Sequence, residues 1–202
     1  LPKSGQTPLM TARNCELGVW KLLLRSGANP NALINNKNTF LMNTVSLNIE
    51  PNGDEKYDMA KALKTLAEYN TNLDLQNSSG ITALMLAADR TDIRSIEGLL
   101  AHGANPNIRD KKGETALFKA IRRGVTEPVA FLIRAGTDLS ITNIDGDSAL
   151  SVAKGVQADL RGNMNYDEAR KGRLIKQFDE IIEMLQNPTK VKRTTRNIYK
   201  IK

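Results

Sequence analysis

His102 is the only histidine of the chain and Cys15 its only cysteine. The side chains that most often serve as base, nucleophile or metal ligand near neutral pH therefore occur once each. A thiol needs an adjacent base to become a strong nucleophile, and a structural zinc needs four ligands; neither set can be assembled from these two residues. His102 stands directly before Gly103 at the end of an apolar run, the place of an exposed helix-end residue facing the negative pole of the helix dipole. Cys15 is expected as a small buried filler of the first helix, and a lone cysteine excludes a disulfide within the chain. The carboxylate pairs Asp54-Glu55 and Asp179-Glu180 read as solvated faces, and no G-x-x-x-x-G-K-[ST] phosphate loop occurs. The reading is a non-enzyme without cofactor or metal.

The residue types offer noncovalent chemistry instead. Two double cations, Lys111-Lys112 and Arg122-Arg123, lie close together in the chain. Arg90 and Arg109 precede them, with Asp89, Asp110 and Glu114 interspersed. If folding gathers these on one side, the strip favours an acidic protein surface and speeds encounter with it. A second concentration is "TKVKRTTRNIYKIK" at 189–202, which carries Lys190, Lys192, Arg193, Arg196, Lys200 and Lys202 and no acid. Of the 29 basic residues behind the net charge of +7, removing these six leaves 23 against 22 acids. The body is nearly neutral and the basicity belongs to a tail, read as flexible from 188 to 202. Such a tail allows an alternative function, electrostatic binding of nucleic acid or an anionic membrane surface that weakens steeply with salt.

Whether the two double cations meet depends on the elements that carry them. "SGANPN" at 26–31 and "HGANPN" at 102–107 share Gly-Ala-Asn-Pro-Asn. Each follows paired leucines, Leu23-Leu24 and Leu99-Leu100, so Gly27 and Gly103 are placed to close a helix in the left-handed conformation. Pro30 and Pro106 forbid continuation, and the asparagines suit a turn because their side chains can bond nearby backbone. A second recurring word marks helix starts: Thr7-Pro8-Leu9-Met10, Thr39-Phe40-Leu41-Met42, Thr82-Ala83-Leu84-Met85, Thr115-Ala116-Leu117-Phe118 and Ser148-Ala149-Leu150-Ser151. The hydroxyl residue caps the helix, and Pro8 follows its cap where a missing N–H costs least. Gly5, Gly80, Gly113 and Gly146 lie two residues before the cap, with Lys37 in the second copy. The starts at 7, 39, 82, 115 and 148 define a period near 33, stretched once to 43.

This combination resembles the ankyrin repeat family. The resemblance rests on GQTPL, on G-x-T-A-L in later copies with Ser for Thr in the last, and on paired apolar residues followed by G-A-N-P-N. It implies an all-α repeat solenoid of stacked helix–turn–helix units with projecting β-hairpin turns. The units fall at about 3–34, 35–77, 78–110, 111–143 and 144–187, in one elongated domain over 1–187, the second and fifth irregular. The family's histidine after T-P-L is replaced by Met10, Met42, Met85, Phe118 or Ser151, so packing takes the place of a polar link. Insertions between the helices of a unit are expected near 48–57 and within 157–172; lengthening a surface loop costs only about 0.6 kcal/mol per doubling.

No single unit can bury its own apolar face, so neighbours must share one core. In the third unit Leu84, Ala87, Ala88, Ile93, Ile96, Leu99 and Leu100 should meet it, and in the fourth Leu117, Ala120, Ile121, Val129, Leu132 and Ile133. Pro128 belongs in the first turn of a helix, where it is tolerated. A last helix over about 171–186 presents Ile175, Phe178, Ile181, Ile182 and Leu185 and closes the stack. Trp20 packs inside the first unit or covers its edge.

The resemblance implies noncovalent protein–protein interaction through the concave face, formed by turn tips and exposed positions of the first helices. Carried over, that face holds Ser78, Ser79, Ile81, Asp89 and Arg90 from the third unit and Lys111, Lys112, Glu114, Arg122 and Arg123 from the fourth. Ile144, Asp145 and Asp147 come from the fifth, and Asn35, Asn36 and Asn38 from the second. The expected partner is another protein with an acidic surface, met by a monomer. Ankyrin-like chains also serve as bacterial effectors or inhibitors aimed at a specific protein, and the many Asn, Lys and Ile residues point toward a bacterial source. No run reaches the eighteen apolar residues of a membrane span. The start at Leu1 rather than Met is compatible with a removed signal peptide or a preceding segment. A cytoplasmic setting is the expectation, with a secreted or periplasmic one compatible.

Overall fold

A computed structural model describes residues 7–12, 15–33, 38–46, 59–162 and 167–191. Among them are eleven helices and no strand: α1 (Pro8–Thr11), α2 (Leu17–Arg25), α3 (Phe40–Ser46), α4 (Met59–Glu68), α5 (Ala83–Asp89), α6 (Ile93–Ala101), α7 (Ala116–Arg123), α8 (Thr126–Arg134), α9 (Ala149–Gly162), α10 (Glu168–Gln186) and α11 (Pro188–Val191). They form five successive pairs. The first helices, α1, α3, α5, α7 and α9, pack side by side in one layer; the second helices, α2, α4, α6, α8 and α10, form the other. The short α11 rests on α8 and α10. This is the expected helical repeat stack. The projecting turns are hairpin-shaped, and the pairing recorded within them is the single bridge Thr142–Ser148.

Helix starts follow the capping residues. The hydroxyls of Thr7, Thr39, Thr82 and Ser148 accept from the amides of Met10, Met42, Met85 and Ser151 at 3.4, 3.1, 3.3 and 3.1 Å. Each bond satisfies one of the free N–H groups of a helix N-terminus. Thr115 departs from the pattern: its hydroxyl is buried without a partner. Helix ends follow the turn residues. Gly27 and Gly103 take φ of 87° and 89°, the left-handed conformation that terminates a helix without steric cost. The second unit, lacking that glycine, places Asn70 there at φ 53°, and asparagine is the side chain that best tolerates the region. Between the helices of the third unit Thr91 sits at φ 55°. A β-branched residue is strained in that region by roughly 1–3 kcal/mol.

Packing reproduces the apolar stripes. Leu84, Ala87, Ala88, Ile96, Leu99, Leu117, Ala120, Ile121, Val129, Leu132 and Ile133 are buried, with Ile93 and Leu100 partly so. Alanines in the first helices α5, α7 and α9 permit close approach, and the larger side chains of the second helices fill the layer between units. Gly98 marks how tightly the outer layer is set: a Cβ there would stand 2.5 Å from Leu63 Cδ1. Met10, Met42, Met85 and Phe118 are buried at the positions of the family's histidine. Trp20 is inside the stack, edge-on to Phe40 at 4.8 Å, with its indole N–H donating to the Ala12 carbonyl at 2.8 Å. Pro128 lies in the first turn of α8, as expected. His102 is exposed at the end of α6, its Nδ1 2.8 Å from the Gly98 carbonyl.

Three expectations change. Cys15 is exposed, because it lies in the link between α1 and α2 and not on a buried helical face. The extra length of the fifth unit is helical for most of its run: α9 continues to Gly162, and α10 starts at Glu168, three residues earlier than periodicity placed it. Asp167 caps it by accepting from the Arg170 amide at 3.0 Å, and Gln157 of α9 donates to Asp179 of α10 at 2.7 Å. The tail also begins later than expected. Residues 188–191 are helical and Val191 is buried, while Lys190 pairs with Glu183 at 3.3 Å. Lys192, Arg193, Arg196, Lys200 and Lys202 lie outside the described residues, as does the expected insertion at 48–57.

The strain at Thr91 yields a test. Thr91→Asn should raise the free energy of unfolding by about 0.5–1 kcal/mol, read by urea denaturation at unchanged slope; a loss of stability would contradict it.

Candidate protein-interaction surface

The turns that project from the stack are built on one side chain per unit. Asn77, Asp110 and Asn143, 33 residues apart, each place Oδ1 between two amides of their own turn. Asn77 accepts from Ser79 and Ile81 at 2.9 and 3.0 Å, Asp110 from Lys112 and Glu114 at 2.8 and 2.9 Å, and Asn143 from Asp145 and Asp147 at 3.0 and 2.8 Å. Such Asx turns fix a tip without strand pairing. Neighbouring tips are joined through the backbone: Lys111 N–H donates to Ser79 at 3.1 Å and Ile144 N–H to Lys112 at 2.9 Å. The approach is close enough that a Cβ on Gly80 would stand 2.8 Å from the Lys111 nitrogen.

Side chains extend this ladder. Gln76 donates to the carbonyls of Gly80 (2.6 Å) and Arg109 (2.8 Å). One unit on, Arg109 makes the same fork to Gly113 (3.3 Å) and Thr142 (2.9 Å). At the base of the turns the second Asn of G-A-N-P-N reaches the next unit. Asn31 Oδ1 accepts from the Asn72 amide at 2.8 Å, Asp74 from Asn105 at 2.9 Å, and Asn107 from Asp138 at 2.8 Å. The first residue of each N-x-N pair bonds its own unit, as Asn29 to Asn31 and Asn105 to Asn107. Sequence reasoning assigned these asparagines to their local turns and missed the link between units. The signal was present as an acceptor side chain at 31, 74 and 107.

Successive tips therefore hold Ser78-Ser79, Lys111-Lys112 and Ile144-Asp145 in a row, all exposed. Asn38 of the second unit is half-buried and accepts from Asn77 Nδ2 at 2.9 Å; Asn35 and Asn36 lie outside the described residues. Behind the tips, α5 carries Asp89, with the exposed Arg90 capping its end, and α7 carries Lys119, Arg122 and Arg123.

The fourth unit differs from the expected open cationic strip. Glu114 is 3% exposed, with Lys119 Nζ donating to its Oε2 at 2.6 Å and Arg122 to its Oε1 at 2.5 Å. Lys119 also donates to Asp110 at 2.7 Å. Arg123 grips the Asp89 carboxylate of the preceding unit with two bonds, at 3.1 and 2.8 Å. Three carboxylates and three cations thus balance one another. Arg109 is bonded to backbone carbonyls. Lys111 and Lys112 remain exposed at the tip, and neither ammonium forms an ion pair among the described residues. Lys119, which organises this network, was not singled out from the sequence. Its partners are five and nine residues upstream, in a turn whose folding back onto α7 no helical spacing announces.

Electrostatics follow the geometry. Burial alone would raise the Asp110 and Glu114 carboxyls, yet both lie below their ordinary range. Lys119 together with the Glu114 and Lys112 amides at Asp110, and together with Arg122 at Glu114, outweighs that cost. Burial likewise would lower Lys119, but its two carboxylate partners hold it above the usual lysine value. Arg123 is raised by its hydrogen bonds to Asp89. No His, Cys, Asp and Glu grouping fit for a metal occurs among the described residues. Nor is any described helix long and apolar enough to cross a membrane.

A family model described as "Ankyrin repeats (3 copies)" matches residues 13–110 and 52–143. No curated protein matches. Among solved structures, an ankyrin repeat domain from Acinetobacter baumannii AYE is similar at 24% identity and a TM-score of 0.66, covering 91% of this chain and 82% of that one. At that identity the likeness speaks for the fold alone.

The sign of the network's pH dependence is fixed by these shifts. Carboxyls lowered in the folded state contribute stability above their unfolded values, about 4, and lose it as pH falls through the lower folded ones. A raised Lys119 contributes below about 10.4 and loses that contribution as pH rises further. Stability from this network should be flat between about pH 5 and 10 and should decline in acid. Glu114→Gln should cost about 2 kcal/mol at pH 7 and shallow the acid limb of a stability–pH curve. An unaltered curve would show that the network does not hold the fourth turn.

Proposed function

The chain belongs to the ankyrin repeat family, whose repeats generally serve as a protein-interaction module, and we propose that it binds another protein noncovalently through the tip row and inner helices of its third to fifth units. Ankyrin repeat domains are typically non-catalytic, and we read this one as a binder with no chemistry of its own. The partner surface we propose is acidic, centred opposite Lys111 and Lys112, with Ser78, Ser79, Asp89, Arg90, Arg122, Arg123 and Asp145 around that centre.

One observation carries the choice of centre. Arg122 and Arg123 are held by Glu114 and Asp89, whereas Lys111 and Lys112 stand exposed on a tip fixed by Asp110. A cation already paired offers an incoming carboxylate little new Coulomb energy, while an unpaired one steers encounter at long range. Because the tips are tied to their neighbours through backbone, a partner pays little for ordering the loops on binding. Glu114 is the anchor of the paired cations in this reading, not a contact residue.

The test is capture of partner from the source organism's lysate by three baits: the intact chain, Lys111→Glu with Lys112→Glu, and Arg122→Gln with Arg123→Gln. The lysine pair should cost roughly tenfold or more in affinity, mostly as slower association at low salt. The arginine pair should cost less. Undiminished capture by a folded lysine variant would refute the proposed centre.

A further inference from the structure

The last hairpin is the end of every ladder described above, and it differs from the others in charge. Residues 135–153 contain no lysine or arginine, but hold Asp138, Asp145 and Asp147, all exposed. Its tip carries Ile144, 69% exposed, where the preceding tips carry Ser78 and Lys111. The bonds that join units run out at this hairpin. Asn31, Asp74 and Asn107 each take an amide from the following unit, but Ser140, the next in that series, turns its hydroxyl back onto Asp138 at 2.6 Å. Thr142 receives the Arg109 fork. The helical layers, by contrast, are closed by α10 and α11.

The chain that follows α11 has the complementary character. Residues 192–202 carry Lys192, Arg193, Arg196, Lys200 and Lys202 with no acid, and interleave Ile198, Tyr199 and Ile201. The described chain ends at Val191, close to the base of the last hairpin. Lys190 and Val191 share a cavity of about 340 Å³ with Ala130, Arg134, Glu183 and Met184, and Arg134 is the end of α8, from which the chain enters that hairpin. Eleven residues reach roughly 36 Å when extended. That is enough to run the length of the turn.

We propose that segment 192–202 docks along the outer edge of the last hairpin, where a sixth turn would otherwise stack. Its cations lie over Asp138, Asp145 and Asp147, and an apolar side chain covers Ile144. Two features of the molecule select this occupant: opposite charge on two stretches of one chain, and continuity with a ladder in which each turn receives the next. The docked segment completes the tip row in place of a further unit, and it does not depend on Lys111 and Lys112 as the partner-binding centre.

Amide hydrogen exchange of residues 141–148 tests this in the intact chain against a full-length variant with Lys192, Arg193, Arg196, Lys200 and Lys202 changed to Ser. At low ionic strength exchange in the intact chain should be slower by about threefold or more. The difference should vanish near about 0.5 M salt, with exchange in the third and fourth units unchanged throughout. Equal exchange in the two chains at low salt overturns the proposal. Protection that grows with protein concentration places the segment of a second copy on the edge and overturns docking within one chain.

Discussion

Asn31, Asp74 and Asn107 each commit one side-chain oxygen to the backbone of the unit that follows, and the rest of the architecture is organised around that commitment. A pair of helices of this length exposes as much apolar surface as it hides, so each unit is stable only against its neighbours. Apolar contact alone is tolerant of sliding and rotation. A directed bond from a short, turn-locked side chain to one particular amide is not, and it recurs at the first three of the four steps from one unit to the next. With the base of each turn so fixed, Gln76 and Arg109 can reach the same carbonyl positions in successive units, and backbone bonds can join the tips.

Electrostatics on the inner side are a consequence of that register. Because the fourth turn is held against α7, Asp110 and Glu114 are carried beneath Lys119 and Arg122, and burial strengthens the attraction it would otherwise oppose. Arg123 reaches across to Asp89 of the preceding unit only because the two first helices lie side by side. What looks from composition like a cationic strip is an internally balanced lattice of charge with two lysines standing clear of it. On the function proposed above, contact with a partner then centres on the tips and not on the helices. Tip residues vary in kind from unit to unit, through Ser78, Lys111 and Ile144, while the turns beneath them stay alike.

Much of this was legible in the sequence where the cause is local. Caps at Thr7, Thr39, Thr82 and Ser148 depend on one hydroxyl and the amides just ahead of it. Terminating glycines depend on one dihedral, and the buried faces of α5 to α8 depend on helical periodicity. What was not legible depends on two segments at once. Glu114 was placed at the surface because turn residues usually are, and its burial follows from cations on a helix that comes later. Cys15 was assigned to a helix face, but the first unit keeps only four residues in its first helix. The fifth unit was given a loop between its helices because periodicity records where a repeat is interrupted, not whether the extra residues continue the helix. Here α9 runs on to Gly162, and Gln157 bridges the lengthened pair to Asp179.

The central claim is that the side-chain ladder couples the units, and Asn107 is where it can be tested most directly. Asn107→Ala removes the acceptor for the Asp138 amide while leaving the apolar core untouched. Native-state hydrogen exchange should then show the fourth and fifth units, α7 to α10, opening apart from the third, with about 1 kcal/mol lost from their protection, whereas Asn107→Asp should restore the coupling. Unchanged, uniform protection across all the units in the alanine variant would mean that apolar packing alone sets the register, and would contradict the account.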